Sequence, residues 1–284
     1  MKYIKNNFAA LLTILALIGL VFKTLLANKY LDQNLIERTL TSYVIAYLAF
    51  KISYMETKKV GLILVPLIIH SLIMALVVNG GFSSKFPKDL LTIITSLYKI
   101  IVMLSVFFIL EFIINRILGN LASSILGGIS FLLFLAISFT KKMGFLSGFE
   151  DFFLYFSFYV MALRVRSAAR LNPLVLVFAI LLVACEIYLK VSYIKIDYSF
   201  LFTIFPLVYV SLKTISNEAS MGFVDYIAFA LIYIYPTIFI ILKTSTTIES
   251  LAISIIAILA SYILSEAIYK IKNKYLSYLL LGIN

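Results

Sequence analysis

The chain has 284 residues, of which 63% are hydrophobic and 13% are charged. Soluble domains carry roughly 45–50% apolar and roughly 25% charged residues, so this composition excludes an ordinary soluble globule. The formal net charge is +11. The lysines and arginines stand singly or in short groups between apolar blocks, so we expect them to orient helices in a lipid bilayer and not to bind nucleic acid.

The apolar residues fall into ten blocks, each close to the roughly 20 residues that a helix needs to cross a hydrocarbon layer. Backbone polar groups in lipid must be paired within their own segment, so each block is predicted to be a helix. The fold class is therefore all-α, a polytopic transmembrane bundle forming a single membrane domain over residues 1–284. In chain order, the predicted spans are 8–27, 39–55, 60–79, 91–114, 117–139, 149–165, 172–190, 198–214, 223–243 and 248–270.

Prolines mark some of the span boundaries and interrupt other spans. Pro87 opens the fourth predicted span and Pro173 opens the seventh. Pro66, Pro206 and Pro236 lie inside spans, where each removes a backbone hydrogen bond. We expect kinked helices at these three positions.

Basic clusters set the predicted orientation. Lys58 and Lys59 precede the third span; Arg164 lies at the end of the sixth span, and Arg166 and Arg170 follow it. Because cytoplasmic segments are richer in lysine and arginine, these clusters predict that both termini are cytoplasmic. The predicted location is the cell membrane, as a multi-pass protein.

The only histidine, His70, lies four residues after Pro66 in VPLIIHSLIMAL. Histidine carries protons near neutral pH, so a catalytic role would fall to His70 first. The alternative is a neutral imidazole bonded to a carbonyl that Pro66 has freed. Histidine, cysteine and carboxylate residues are too scattered to predict a metal site.

Other ionisable residues lie within or near the predicted spans. Each is a candidate functional residue, because a charge in hydrocarbon is costly and calls for a compensating role. Lys99 is predicted to lie about two turns inside its helix, and Glu266 precedes Lys270 by the i,i+4 spacing of a helical ion pair. The remaining candidates are Glu111, Glu186 and Asp225.

Several stretches resemble the membrane-bound acyltransferase 3 family, which transfers acyl groups onto envelope polysaccharides and related acceptors. KKVGLILVPLIIHSLIMAL is similar to the head of the family's third span, and DFFLYFSFYVMALRVRSAARL to its stretch of phenylalanines closing on a basic loop. FVDYIAFALIYIYPTIFIIL resembles its penultimate span, and SYILSEAIYKI resembles its closing helix. The resemblance implies ten spans with short loops and action on envelope or exopolysaccharide substrates.

The family's catalytic histidine lies in the first span, where this chain has FAALLTILALIGL. No family catalytic residue is therefore carried over. If the protein is an enzyme, His70 is the available base. Phosphates of a cytoplasmic acyl donor such as acyl-CoA would then bind the basic clusters, which are Lys58, Lys59, Arg164, Arg166 and Arg170.

Two other functions fit the same sequence. The first is a transporter, flippase or polysaccharide polymerase-like component, in which helices broken at proline line a cavity for a lipid-linked sugar. The second is a structural subunit of an oligomer or a larger membrane complex, which needs no active site.

Overall fold

The computed structural model describes residues 2–23, 33–53, 59–82, 85–140, 148–167, 200–213, 222–245 and 249–283. Five single positions between residues 171 and 199 are also described, and all five are helical. Within these ranges the chain is helical and contains no strand, which confirms the all-α prediction. The helices are α1 (Lys2–Val21), α2 (Gln33–Ser53), α3 (Lys59–Asn79), α4 (Phe86–Leu97), α5 (Lys99–Leu118), α6 (Asn120–Thr140), α7 (Glu150–Ser167), α8 (Phe200–Lys213), α9 (Phe223–Ser245), α10 (Ser250–Ile271) and α11 (Lys274–Leu281).

Four segments of the described helices are long and apolar enough to cross a membrane. They are Lys99–Leu118, Leu121–Ser138, Phe223–Thr244 and Ser250–Ile271. Shorter apolar helices cover Ala9–Val21, Ile63–Asn79 and Ile204–Lys213. The seventh predicted span, 172–190, lies outside the described residues except at the five single positions.

The outer faces of these helices are apolar. On α10, Leu259 is 57% exposed and Ile263 is 63% exposed, and on α5 the exposed fraction of Ile117 is 72%. Large contiguous apolar surfaces are rare on soluble monomers. These side chains therefore indicate contact with lipid.

The fourth predicted span, 91–114, is divided in the structure. The helix is interrupted at Tyr98, whose φ of −105° and ψ of 24° lie outside the helical region. Lys99 consequently begins α5 instead of lying two turns inside a helix. The prediction was wrong here because nothing in the local hydropathy marks Tyr98 as the end of a helix.

The chain forms two compact units. The first unit comprises residues Met1–Tyr54 and Ile109–Glu218, and the second comprises Met55–Phe108 and Ala219–Asn284. The division falls within α5. Each unit combines two separate stretches of sequence.

In the first unit, α1 and α2 pack as an antiparallel pair. The Tyr43 hydroxyl donates to the Ala9 carbonyl at 3.2 Å, and Lys23 pairs with Glu37 where α1 ends and α2 begins. Helices α6 and α7 are also antiparallel, with Ser138 against Glu150 at one end of the pair. A phenylalanine cluster joins α6, α7 and α8: the ring of Phe205 lies 5.0 Å from Phe131 and 4.5 Å from Phe158, between centroids.

In the second unit, α9 packs along α10 through an aromatic layer. Phe223 and Tyr226 on α9 contact Tyr269 on α10, with centroid distances of 5.4 and 5.2 Å. Helix α11 was not predicted from the sequence, although it carries clear end signals. The Asn273 side chain accepts from two backbone amides at its start, and Gly282, with φ of 66°, ends it in the left-handed conformation that glycine tolerates.

A close contact between α6 and α7 in the first unit gives a test of the fold. A Cβ at Gly127 on α6 would lie 2.7 Å from Cγ1 of Val160 on α7. We expect Gly127→Ala to lower the free energy of unfolding by about 1–3 kcal/mol, because a packed interface cannot absorb an added methyl. Thermal unfolding in detergent measures the effect.

The neighbouring Gly128 is the matched control, since a Cβ there meets nothing within 4 Å. Gly128→Ala should hold or raise stability, because alanine favours the helix by up to about 1 kcal/mol. Equal destabilisation by both substitutions would contradict the α6–α7 packing.

Candidate functional site

His70 lies on α3 in the interior of the second unit, with 4% of its surface exposed. Its Nδ1 is 2.9 Å from the hydroxyl of Thr237 on α9. Its Nε2 is 3.1 Å from the backbone carbonyl of Leu280 on α11. The ring also stacks near Tyr233, with centroids 6.3 Å apart. His70 therefore joins three helices.

These contacts determine the roles of the two ring nitrogens. A carbonyl oxygen can only accept, so Nε2 must carry the hydrogen that the Leu280 carbonyl receives. In the neutral ring, Nδ1 then accepts from the Thr237 hydroxyl. The sequence suggested a carbonyl freed by Pro66 as the partner. The observed carbonyl instead belongs to the last turn of α11, where helix carbonyls lack partners within the helix.

Tyrosine hydroxyls bind backbone carbonyls close to both helix prolines of this unit. The Tyr233 hydroxyl donates at 3.1 Å to the carbonyl of Ile63, three residues before Pro66. The Tyr98 hydroxyl donates at 3.1 Å to the carbonyl of Tyr233, three residues before Pro236. Because a proline removes the donor for the carbonyl four residues before it, the carbonyls left free are those of Leu62 and Ile232, and each tyrosine binds the next carbonyl along the helix. The Tyr98 bond joins the junction of α4 and α5 to α9.

Sequence reasoning missed this tyrosine network because tyrosines in membrane proteins are usually read as interfacial anchors. The positions of the two tyrosines in the sequence could have indicated the network. Tyr98 and Tyr233 lie within apolar stretches and not at their ends, and both are fully buried. A buried tyrosine hydroxyl requires a partner, and a backbone carbonyl of a neighbouring helix can supply one.

Arg164 lies near the end of α7 in the first unit. Its Nη2 donates to the Ser123 hydroxyl on α6 at 2.6 Å. Lys51, in the last turn of α2, is only 8% exposed. We call the region formed by the end of α2, the start of α6 and the end of α7 the Arg164 end. The basic side chains of Lys51 and Arg164 at this end are therefore shielded from solvent to a large or moderate extent.

The other basic residues predicted to bind substrate are less completely described. Arg166 lies in α7 and Lys59 begins α3, but the positions of their side chains lie outside the described structure. Lys58 and Arg170 lie outside the described residues altogether. Lys59 belongs to the second unit and Arg164 to the first.

Glu111 is a carboxylate within a candidate membrane span. It accepts from the Tyr159 hydroxyl on α7 at 2.9 Å and from the Asn115 amide, one turn further along α5, also at 2.9 Å. Such bonds offset part of the cost of withdrawing a carboxylate from water.

An ionic cluster that the sequence did not predict lies at the opposite end of the first unit. Arg38, near the start of α2, binds Asp151 through Nε at 2.8 Å and Glu150 through Nη2 at 3.0 Å. Ser138 also donates to Glu150. Burial lowers the pKa of Arg38, but the charges of Asp151 and Glu150 outweigh it and hold the pKa above its ordinary value. We call this region the Arg38 end.

The remaining ionisable candidates have simpler surroundings. The predicted pair of Glu266 and Lys270 is confirmed, with 2.6 Å between Oε1 and Nζ on an exposed face of α10. Asp225 caps the start of α9 by accepting from the Gly222 amide. Glu186 lies outside the described residues. Among the residues that are described, no group of three or more His, Cys, Asp or Glu side chains is placed to hold a metal ion.

The role of Thr237 can be tested by removing its hydroxyl. Thr237→Val leaves His70 Nδ1 without a donor, and we expect a loss of about 1–3 kcal/mol in unfolding free energy. The control is Thr244→Val on the same helix, because the Thr244 hydroxyl is exposed and bonds only to carbonyls of its own helix. Equal unfolding midpoints for the two variants would show that the His70 contact contributes nothing to stability.

Comparison of the chain with protein-family models, with curated proteins and with solved structures gives no match.

Proposed function

We propose that the protein is a multi-pass protein of the cell membrane, with about ten spans and both termini in the cytoplasm. We propose further that it binds the phosphate groups of a lipid-linked sugar during assembly of an envelope polysaccharide or exopolysaccharide. Its activity is to hold or move this substrate, as a transporter, flippase or polymerase-like component does.

The observation that carries this proposal is the pair of shielded cations at the Arg164 end. Lys51 is almost fully buried and Arg164 is half-buried, near the ends of two helices that begin together at the Arg38 end. A positive charge that is shielded from water attracts an anion more strongly than the same charge in water does. Phosphate oxygens are strong partners for arginine, which can bind them through two parallel hydrogen bonds.

The charge distribution along the first unit supports the proposed orientation. The Arg38 end holds acids and bases in pairs, whereas Lys51, Arg116 and Arg164 lie toward the other end. An excess of basic residues is typical of the cytoplasmic side. A phosphate-bearing lipid substrate made in the cytoplasm would meet the Arg164 end first.

Acyl transfer is the second candidate, favoured by the stretches that resemble the acyltransferase family. An acyl-CoA donor also carries phosphates and would use the same basic residues. The reaction requires a base near the acceptor hydroxyl. Both ring nitrogens of His70 are engaged in hydrogen bonds, so acyl transfer would require the imidazole to leave Thr237 or Leu280. The hydrogen bonds of His70 therefore favour a protein that binds its substrate over one that uses His70 to catalyse acyl transfer.

Binding of polyprenyl phosphate by the protein in nanodiscs tests the proposal. We expect Arg164→Gln to weaken binding by tenfold or more, which corresponds to about 1.4 kcal/mol. Arg116→Gln is the control, since Arg116 is exposed in the last turn of α5 and its change should alter affinity much less. Equal effects of the two substitutions, or none, would refute a specific phosphate site at Arg164.

A second assay separates the two functions. The same nanodiscs, incubated with labelled acyl-CoA and a saccharide acceptor, would reveal acyl transfer. Under the favoured proposal no acyl product forms. If a product does form and His70→Ala abolishes it while the unfolding midpoint stays unchanged, the protein is an acyltransferase and the imidazole is its base.

A further inference from the structure

Glu111 is a carboxylate that lies inside a candidate membrane span. The span covers Lys99–Leu118, so Glu111 precedes its nearer end by seven residues. At 1.5 Å per residue, this spacing places Glu111 roughly 10 Å along the helix from that end. A charge at this depth is costly, and ionisable residues inside membrane segments often belong to sites that bind protons or ions. The proposed phosphate site makes no use of Glu111.

The carboxylate of Glu111 is stabilised by neutral groups. Its two oxygens accept from the Asn115 side-chain amide and from the Tyr159 hydroxyl, each at 2.9 Å. Within the part of the chain that the structure describes, no lysine or arginine pairs with it. Glu266 on α10 differs in this respect, because it pairs with Lys270. A carboxyl group without an opposite charge beside it is free to become neutral by binding a proton.

Both partners of Glu111 can also bind its protonated form. A tyrosine hydroxyl and a side-chain amide each contain an oxygen that accepts hydrogen bonds. In Asn115 this oxygen, Oδ1, is shielded from solvent and has no hydrogen-bond partner among the described residues. Rotation of the amide by half a turn presents Oδ1 to Glu111 in place of Nδ2. A protonated Glu111 can then donate to Oδ1 while its other oxygen still accepts from Tyr159.

Proton exchange also requires that a proton can reach the carboxyl group. Glu111 and Asn115 are both partly exposed, whereas Tyr159 on α7 is fully buried. The carboxyl group therefore lies at the surface of the first unit, with α7 on its buried side. This position combines access with two fixed hydrogen-bond partners.

The other charged and titratable residues near the site do not exchange protons in the same pH range. Tyr159 contacts Glu111 from α7, and tyrosine ionises at about pH 10 in water. Helix α6 contains no titratable residue. Arg164, five residues after Tyr159, donates to Ser123, and Arg116 is exposed in the last turn of α5. Arginine remains protonated at any working pH.

We propose that Glu111 is a reversible proton-binding site, in which Tyr159 stabilises the carboxylate and Asn115 reverses its hydrogen-bonding role when the proton binds. The proton comes from water and forms the O–H bond of the carboxyl group, which removes one negative charge from the span. A metal cation fits less well, because the hydrogens of the Asn115 amide and the Tyr159 hydroxyl point toward the carboxylate oxygens and repel it.

Proton binding at Glu111 does not depend on the phosphate site. Its use to drive substrate movement does rest on the proposed function, because a bound proton can drive movement only if the protein moves a substrate. A protein that fails to bind polyprenyl phosphate would refute the proposed function and leave the titration of Glu111 in place. The two failures are therefore distinguishable.

Infrared difference spectroscopy of the full chain in nanodiscs tests the site. A protonated side-chain carboxyl has a carbonyl stretching band that a carboxylate lacks. We expect one such band to disappear as the pH rises within the range in which the protein stays folded. The band should be absent in Glu111→Gln, which keeps the size of the side chain but cannot ionise. The control is Glu266→Gln, which should leave this band unchanged because Glu266 lies on an exposed face of α10.

Two further variants test the partners. Tyr159→Phe should move the midpoint of this titration to higher pH by at least one unit, a tenfold rise in proton affinity, because the carboxylate loses a charge-assisted hydrogen bond. The matched control is Tyr43→Phe, since Tyr43 is also buried in the first unit but donates to the Ala9 carbonyl. Asn115→Ala should change the frequency of the band, because the protonated carboxyl then lacks the Oδ1 acceptor.

Three results would overturn the proposal. The first is the lack of any band that Glu111→Gln removes, which would show that the carboxylate stays ionised. The second is a Glu111 band that persists at every pH, which would show that the proton does not exchange. The third is an equal midpoint in Tyr159→Phe and Tyr43→Phe, which would show that the Tyr159 bond does not affect proton binding.

Discussion

An apolar surrounding supplies no hydrogen bonds, so each buried hydroxyl or ring N–H is stabilised only by an acceptor inside the protein. The second unit meets this requirement with bonds between helices. The hydroxyl of Tyr233 on α9 donates to the Ile63 carbonyl on α3, and the hydroxyl of Tyr98 donates to the Tyr233 carbonyl. His70 on α3 bonds to Thr237 on α9 and to the Leu280 carbonyl on α11. These bonds join α3, α9, α11 and the junction of α4 with α5.

Charge in the first unit obeys the same constraint. Arg38 is shared between Glu150 and Asp151, and Glu111 is bonded by Tyr159 and Asn115. Buried ion pairs with one partner removed leave a costly unpaired charge, so such clusters resist substitution.

Much of the fold could be predicted because helix formation in this chain depends on local apolar length. The spans predicted at 117–139, 223–243 and 248–270 agree closely with α6, α9 and α10. The ion pair of Glu266 and Lys270 followed from spacing alone. His70 was singled out as the only histidine, but its partners could not be predicted, since Thr237 and Leu280 are far from it in the chain. The Arg38 cluster was missed for the same reason: its members are separated by more than a hundred residues.

The sequence by itself determined that the chain is helical, that its helices are apolar enough for a membrane and that Pro66, Pro206 and Pro236 fall inside helices. These properties depend on residues within one or two turns of each other. Only the tertiary structure decided which carbonyl His70 binds, where the helix breaks at Tyr98 and which acids face Arg38. Those outcomes depend on which helix faces pack together, and apolar faces composed of the same few residue types do not encode their partners locally.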